Sequence, residues 1–184
     1  MLLASLSNTK LFLEITVTNY DTLLSLLIAQ ISKRVETFLN RDLEKKARTT
    51  YYDAGRKMYF LSAYPIDSLL TLTIVNDTTT QVLNTDYYAW YDEGLIEFAT
   101  IPVQTRPKQM TFTWTGGYAN TYAVPADIQM AVIMQAAFVF RRRKDIGLTS
   151  ISMPDGSISV NAPTELLPEV KAVLKSYRKN PGVK

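Results

Sequence analysis

Met110-Thr111-Phe112-Thr113-Trp114-Thr115-Gly116-Gly117-Tyr118, followed by Val124-Pro125-Ala126-Asp127 and an apolar run that stops at Arg141-Arg142-Arg143-Lys144, decides the fold. Met110, Phe112 and Trp114 alternate with threonines, which is the period of a strand burying one face. The two glycines break that period, because glycine accepts positive φ and so ends a strand cheaply. Pro125 suits a first helical position, where its missing N–H costs nothing. Asp127 faces the unpaired N–H groups and partial positive charge of a helix start. The segment therefore predicts a strand, a glycine joint and an apolar helix over 125–144, with no recognisable catalytic group in it.

Upstream lies a β region. Thr49 to Asp53 and Lys57 to Leu61 flank Ala54-Gly55-Arg56, which predicts a hairpin. Leu70, Leu72 and Ile74 alternate with Thr71, Thr73 and Val75 as a half-buried strand, ending in the polar turn Asn76 to Thr80. Tyr87 to Tyr91 and Leu95 to Phe98 are joined by Asp92-Glu93-Gly94, with Gly94 suited to the left-handed position of the loop. Pro102 and Pro107 bracket a further loop.

Two helices precede this region, over 7–14 and 21–39. On the longer one Leu24, Leu27, Ile28, Ile31, Val35 and Phe38 form the apolar stripe, while Ser25, Ser32, Lys33, Glu36 and Thr37 fall on other faces; Asn19 or Asp21 is the expected cap. Beyond Gly147, Ser150-Ile151-Ser152-Met153 and Ser157-Ile158-Ser159-Val160 alternate around Pro154-Asp155-Gly156, as a small hairpin or an extended arm. A last helix is expected from Pro163 or Thr164. The fold class is α+β: a small helical body of two N-terminal helices, one central apolar helix and one C-terminal helix, with an antiparallel β-meander insertion. Residues 1–146 form the body, with the β region at 49–115, and residues 147–184 form a C-terminal arm and helix.

The zeros in the composition are informative. Without cysteine or histidine, thiol and Ser-His-Asp catalysis, disulfides and Cys/His zinc sites are excluded. Carboxylate chemistry stays open, and Asp86, Asp92, Glu93 and Glu97 are its best candidates; Asp92 and Glu93 also simply fit a turn. The expectation is no enzyme, no metal and no cofactor. Absence of cysteine fits a reducing cytoplasm. Met1 to Leu6 lacks the basic region of a signal peptide, and the 128–140 helix is shorter than the roughly 20 residues that span a bilayer, so no membrane partner is expected. A net charge of +3 is too mild to imply a polyanion partner.

With this order laid out, the chain resembles the head-tail connector family of tailed bacteriophages, also called head completion or adaptor proteins. Three segments carry the resemblance: Leu3-Ala4-Ser5-Leu6 through Leu24, Leu27 and Ile28 to Val35-Glu36-Thr37-Phe38-Leu39; Trp114 to Tyr118 with Val124 to Ile128; and Leu167-Pro168-Glu169-Val170-Lys171 through Leu174 to Tyr177-Arg178. The resemblance implies a structural virion protein at the head-tail interface, assembled in the host cytoplasm. It implies a homo-oligomeric ring of twelve subunits that docks under the portal protein, extends the channel for double-stranded DNA without reading its sequence, and presents a surface to a tail-side connector or tail completion protein. The β region from Thr49 to Thr115 is longer than the family's commoner pattern and reads as a sizeable insertion.

Each candidate surface has a plainer alternative. Arg141, Arg142, Arg143 and Lys144 either face DNA in the lumen or complement the negative end of a helix dipole. The 128–140 helix is apolar on too many faces for a monomer surface, so it is sandwiched in the core or meets a neighbour; Met130 and Met134, with Lys33 and Glu36 of the long helix, are the ring-interface candidates. Leu166, Leu167, Val170, Val173, Leu174 and Tyr177 either contact the portal or an adjacent subunit, or fold back on the chain's own core. The loops at 76–85 and 100–108 are the tail-side candidates. The rival function is a binding module for carbohydrate or single-stranded nucleic acid, built on Tyr51, Tyr52, Tyr59, Tyr87, Tyr88, Trp90 and Tyr91.

Overall fold

The computed structural model describes residues 1–74, 81–103, 105–143, 150–153, 156–159 and 165–178. They form an α+β fold of two compact units, one containing residues 1–39 and 121–178, the other residues 40–120.

The first unit holds helices α1 (Leu6–Leu13), α2 (Asp21–Leu39), α3 (Ala126–Arg141) and α4 (Pro168–Lys175). Ser5 starts α1 by accepting the Asn8 N–H on its Oγ at 3.1 Å. Glu14 ends it at φ 58, and Lys10 Nζ ties it to the first residue of α2 through Asp21 Oδ1 at 2.7 Å. On α2, Leu24, Ile28, Ile31, Val35 and Leu39 are buried, with Leu27 and Phe38 half-buried. Ser32, expected on an outer face, is also buried, because its Oγ accepts the N–H of buried Leu3 at 3.0 Å. That bond lets the apolar Leu3-Ala4 segment cross the helix without an orphaned donor.

Helix α3 is the centre of this unit and packs against α1, α2 and α4. Its buried residues are Ile128, Ala131, Val132, Ile133, Gln135, Ala136, Ala137 and Phe140, so the wide apolar surface read from the sequence is mostly core. Pro125 stands just outside the helix as the cap residue, one position earlier than expected, and the helix closes at Arg141. A hairpin, β7 (Ser150–Met153) with β8 (Gly156–Ser159), pairs Ile151 with Ile158. Its expected turn residues Pro154 and Asp155 lie outside the described residues. Helix α4 starts at Pro168, a first-turn proline, rather than near Pro163 or Thr164, which also lie outside the described residues.

The second unit contains β1 (Lys46–Tyr52), β2 (Met58–Phe60), β3 (Ile66–Ile74), β4 (Tyr87–Trp90), β5 (Leu95–Phe98) and β6 (Met110–Gly116). Two antiparallel sheets result, with strand orders β1-β6-β3 and β2-β5-β4. The expected hairpin around Gly55 is therefore not made: β1 pairs with β6 from Lys46↔Gly116 to Tyr52↔Met110, and β2 pairs with β5. The β4-β5 hairpin forms as expected, with Gly94 at φ 65. In β3 the register shifts twice against β6, so Leu69 stands opposite Trp114, Leu72 opposite Phe112 and Ile74 opposite Met110. Those irregularities break the simple alternation, with Leu72 buried and Leu69 half-buried.

Strand β6 buries Met110, Phe112 and Trp114 completely. Phe112 meets the Tyr52 ring edge-on at 5.2 Å and the Tyr59 ring at 5.5 Å. The glycine joint works by close approach. A Cβ on Gly116 would stand 2.5 Å from the Ala63 carbonyl oxygen, the same oxygen that accepts the Trp114 indole N–H at 3.1 Å. Gly117 combines φ 105 with a position where a Cβ would lie 2.6 Å from the Glu44 carbonyl. Tyr118 then bonds the Leu43 carbonyl at 2.7 Å, so chain segments 43–45 and 63–65 cross the end of β6 only because two residues there lack side chains.

Candidate functional site

The C-terminal candidates divide sharply. Leu166, Val170 and Leu174 are buried within the helical unit, Leu167 and Tyr177 are half-buried, and Val173 is 41% exposed. Gln135, fully buried on α3, holds the approach to α4 from both sides of its amide. Its Nε2 donates to the Glu165 carbonyl at 3.0 Å and its Oε1 accepts the Leu167 N–H at 2.8 Å. At the other end the Tyr177 hydroxyl donates to Asp127 Oδ2 at 3.2 Å, and the Arg178 guanidinium lies 5.4 Å from the Phe38 ring centre. The helix is thus fastened to α3 at both ends, with one apolar edge outward. Gln135 was not singled out from the sequence. Its signal there is an amide flanked by apolar residues from Met130 to Phe140.

On α3, Met130 is 46% exposed and Met134 half-buried, and helical spacing puts them with exposed Arg141 on one side. On α2, Lys33 pairs with Glu36 at 3.2 Å; the Lys33 side chain is exposed and that of Glu36 largely covered. Arg143 turns back on its own helix: Nη1 donates to the Phe140 carbonyl at 2.6 Å, and the guanidinium lies 4.1 Å from the Phe140 ring centre. It thereby adds a second donor to a terminal carbonyl that the Arg143 backbone N–H reaches at 3.4 Å. Arg142 lies over Phe138 at 5.4 Å, and Lys144 is outside the described residues.

In the β unit, Tyr59 and Tyr87 belong to the core and Tyr52 packs against it. Burial raises the pKa of Tyr52, Tyr59 and Tyr87 above 10.0. Tyr88 and Trp90 remain on the surface, their rings 6.4 Å apart. Asp86 accepts the Val82 N–H at 2.8 Å and Glu97 pairs with Lys57 at 2.8 Å, so two of the four candidate carboxylates have local structural partners. Among the described residues no group of three or more carboxylates could hold a metal, and no helix is long and apolar enough to cross a membrane. Of the loop candidates, residues 76–80 and 104 lie outside the described residues.

This arrangement is an α+β fold shared with neck components of phage-like particles. The chain matches a structure of the neck of an empty GTA particle computed with C6 symmetry, with TM-score 0.61 and 18% identity over 95% of this chain and 89% of that one. It matches the virion of a native gene transfer agent particle with TM-score 0.62 and 19% identity over the same shares. The neck of a native GTA particle computed with C12 symmetry gives 0.54 and 19%, over 95% and 88%. No curated protein matches it in sequence. The model of the family described as Head completion protein matches residues 2–180, and the chain belongs to that family. It is a structural protein of the head-tail connector class.

Proposed function

We propose that this chain docks as a ring of identical subunits under the portal of a phage-type head, continues the DNA channel, and offers its far side to a tail component. The family match over residues 2–180, which runs through both units, carries this reading. A ring needs two different patches on each subunit that close on one another under rotation. Met130 and Met134 on α3 and the Lys33-Glu36 pair on α2 are the groups assigned to it. Twelve subunits are what the family resemblance implies, and one of the similar neck structures was computed with C12 symmetry.

For portal contact the accessible residue of α4 is Val173, with half-buried Leu167 and Tyr177 at the two ends of the helix, while Leu166, Val170 and Leu174 hold the helix to its own body. Many modest contacts repeated around a ring give a strong joint. The role is architectural, and DNA would pass without sequence recognition, with Arg141 the exposed cation available to a lumen. Negative-stain imaging of the protein mixed with the portal protein encoded beside it tests this. A new ring of density on the narrow end of the portal is the expected result, and unchanged portal particles at high concentrations of both folded proteins would overturn it.

A further inference from the structure

The β unit contains a cleft of about 320 Å³ walled by Tyr51, Tyr52, Tyr59, Asp53, Arg56 and Lys108. Its polar walls are largely tied to one another. The Tyr59 hydroxyl accepts the Arg56 N–H at 3.2 Å and donates to the Asp53 carbonyl at 3.1 Å. Asp53 Oδ1 accepts the Lys108 N–H at 2.7 Å, and the Tyr52 hydroxyl donates to the Phe60 carbonyl at 3.0 Å. These bonds fix the turn after β1 against the loop before β6, so the walls are set before a ligand arrives. Beside the Asp53 carboxylate, the side chains left at the cleft are cationic and aromatic. Arg56 and Lys108 are exposed with no carboxylate paired to either among the described residues, and Tyr51 is 57% exposed.

We infer that this cleft receives an acidic segment of a partner protein, a carboxylate side chain lying between Arg56 and Lys108 and a neighbouring apolar or aromatic side chain lying on Tyr51. The volume is at the small end for ligand pockets and suits a few side chains. A guanidinium and an ammonium answer carboxylates, and the tyrosine face supplies contact area at little entropic cost. Duplex DNA fits less well. It needs an extended basic surface that follows the backbone, whereas this site is a small concavity.

The test is an amide NMR titration of the full chain with acetyl-Glu-Tyr-Glu-amide, with acetyl-Gln-Tyr-Gln-amide and a short DNA duplex in parallel. Saturable shifts confined to Tyr51, Arg56, Lys108 and their neighbours are expected with the Glu peptide alone. The double substitution Arg56→Ala and Lys108→Ala should weaken that binding about tenfold, the size expected for two exposed charge contacts. Tyr51→Ser should weaken it too, and both variants should keep the wild-type melting temperature because these side chains are exposed. No shifts, equal binding of the Gln peptide, or binding indifferent to these substitutions would overturn the assignment. Capture of the same residues by the duplex, competing with the peptide, would overturn it in favour of a polyanion surface. Failure of portal docking would leave this site untouched, since the peptide is read out on the isolated chain.

Discussion

Replacing Gln135 should release α4 without unfolding the chain. The amide of Gln135 makes two hydrogen bonds, to the Glu165 carbonyl and the Leu167 N–H, from a fully buried position. Each is worth about 1 kcal/mol net, and leaving the backbone partners unanswered raises the penalty. Gln135→Leu, which keeps most of the volume, should therefore cost about 2 kcal/mol, and Gln135→Ala about 3 kcal/mol once the cavity is added. A cheaper escape than global unfolding exists, because lifting the segment from 165 to 178 hydrates both backbone groups. The loss should then appear as local opening, with exchange protection of the α4 amides falling about 100-fold in Gln135→Ala, while α2 amides keep theirs. Hydrogen exchange with site resolution is the assay. Unchanged protection in α4, or an equal loss in α2 and α4, would refute the view of Gln135 as a local fastener.

Other expectations follow from single sites. Gly117→Ala combines φ 105 with a Cβ placed 2.6 Å from the Glu44 carbonyl, so it should cost about 3 kcal/mol and lower the melting temperature by roughly 6–12 °C; a shift under about 2 °C would show that the crossing relaxes freely. Raised phenol pKa values at Tyr52, Tyr59 and Tyr87 mean that the folded chain keeps protons which the unfolded chain releases above about pH 10. Their contribution is complete below that pH and is lost as pH rises through the folded values, so the urea midpoint should fall in alkali, less so in Tyr52→Phe, and a flat profile would contradict the sign. Met134→Asp should leave a folded chain that no longer forms rings, as light scattering would show; rings of normal size would remove Met134 from the interface. Val173→Asp should keep the fold and lose portal docking, whereas Val170→Asp, at a side chain 1% exposed, should lose the fold; equal solubility of the two variants would mean that α4 is not packed as described.

The parts of the fold legible in the sequence are those where one element carries its whole pattern. Strand β6 alternates without a break because it is central and its neighbours sit on both sides. Helix α2 runs from Asp21 to Leu39 as its periodicity requires, and the Glu93-Gly94 turn announces its hairpin locally. What failed is non-local. Strands β1 and β2 look like a hairpin because they are adjacent and have a turn between them, but the partner of β1 lies near residue 113, and nothing in residues 46–60 encodes that distance. Ser32 was misplaced for a related reason: its burial depends on Leu3, which brings the N–H that satisfies it. For the candidate surfaces, the apolar stripe around α4 was visible, but its division into three buried, two half-buried and one exposed residue depends on how it packs on α3, where Gln135 holds residues 165 and 167.

The helical unit is interrupted in the chain by the β unit, and β6, the middle strand of its sheet, is the last strand of that unit to be made. During synthesis α1 and α2 must therefore leave the ribosome and wait for α3 with Leu24, Ile28, Ile31 and Val35 uncovered, while β1 and β3 wait for their common partner. At about 5–20 residues per second the first delay is several seconds. Protease digestion of ribosome-arrested chains should show no protected helical body until α3 has emerged, and early protection would contradict this order. A chain that ends between β6 and α3 then has its β unit complete but its helical unit open, so only chains translated past α3 would carry both units into assembly.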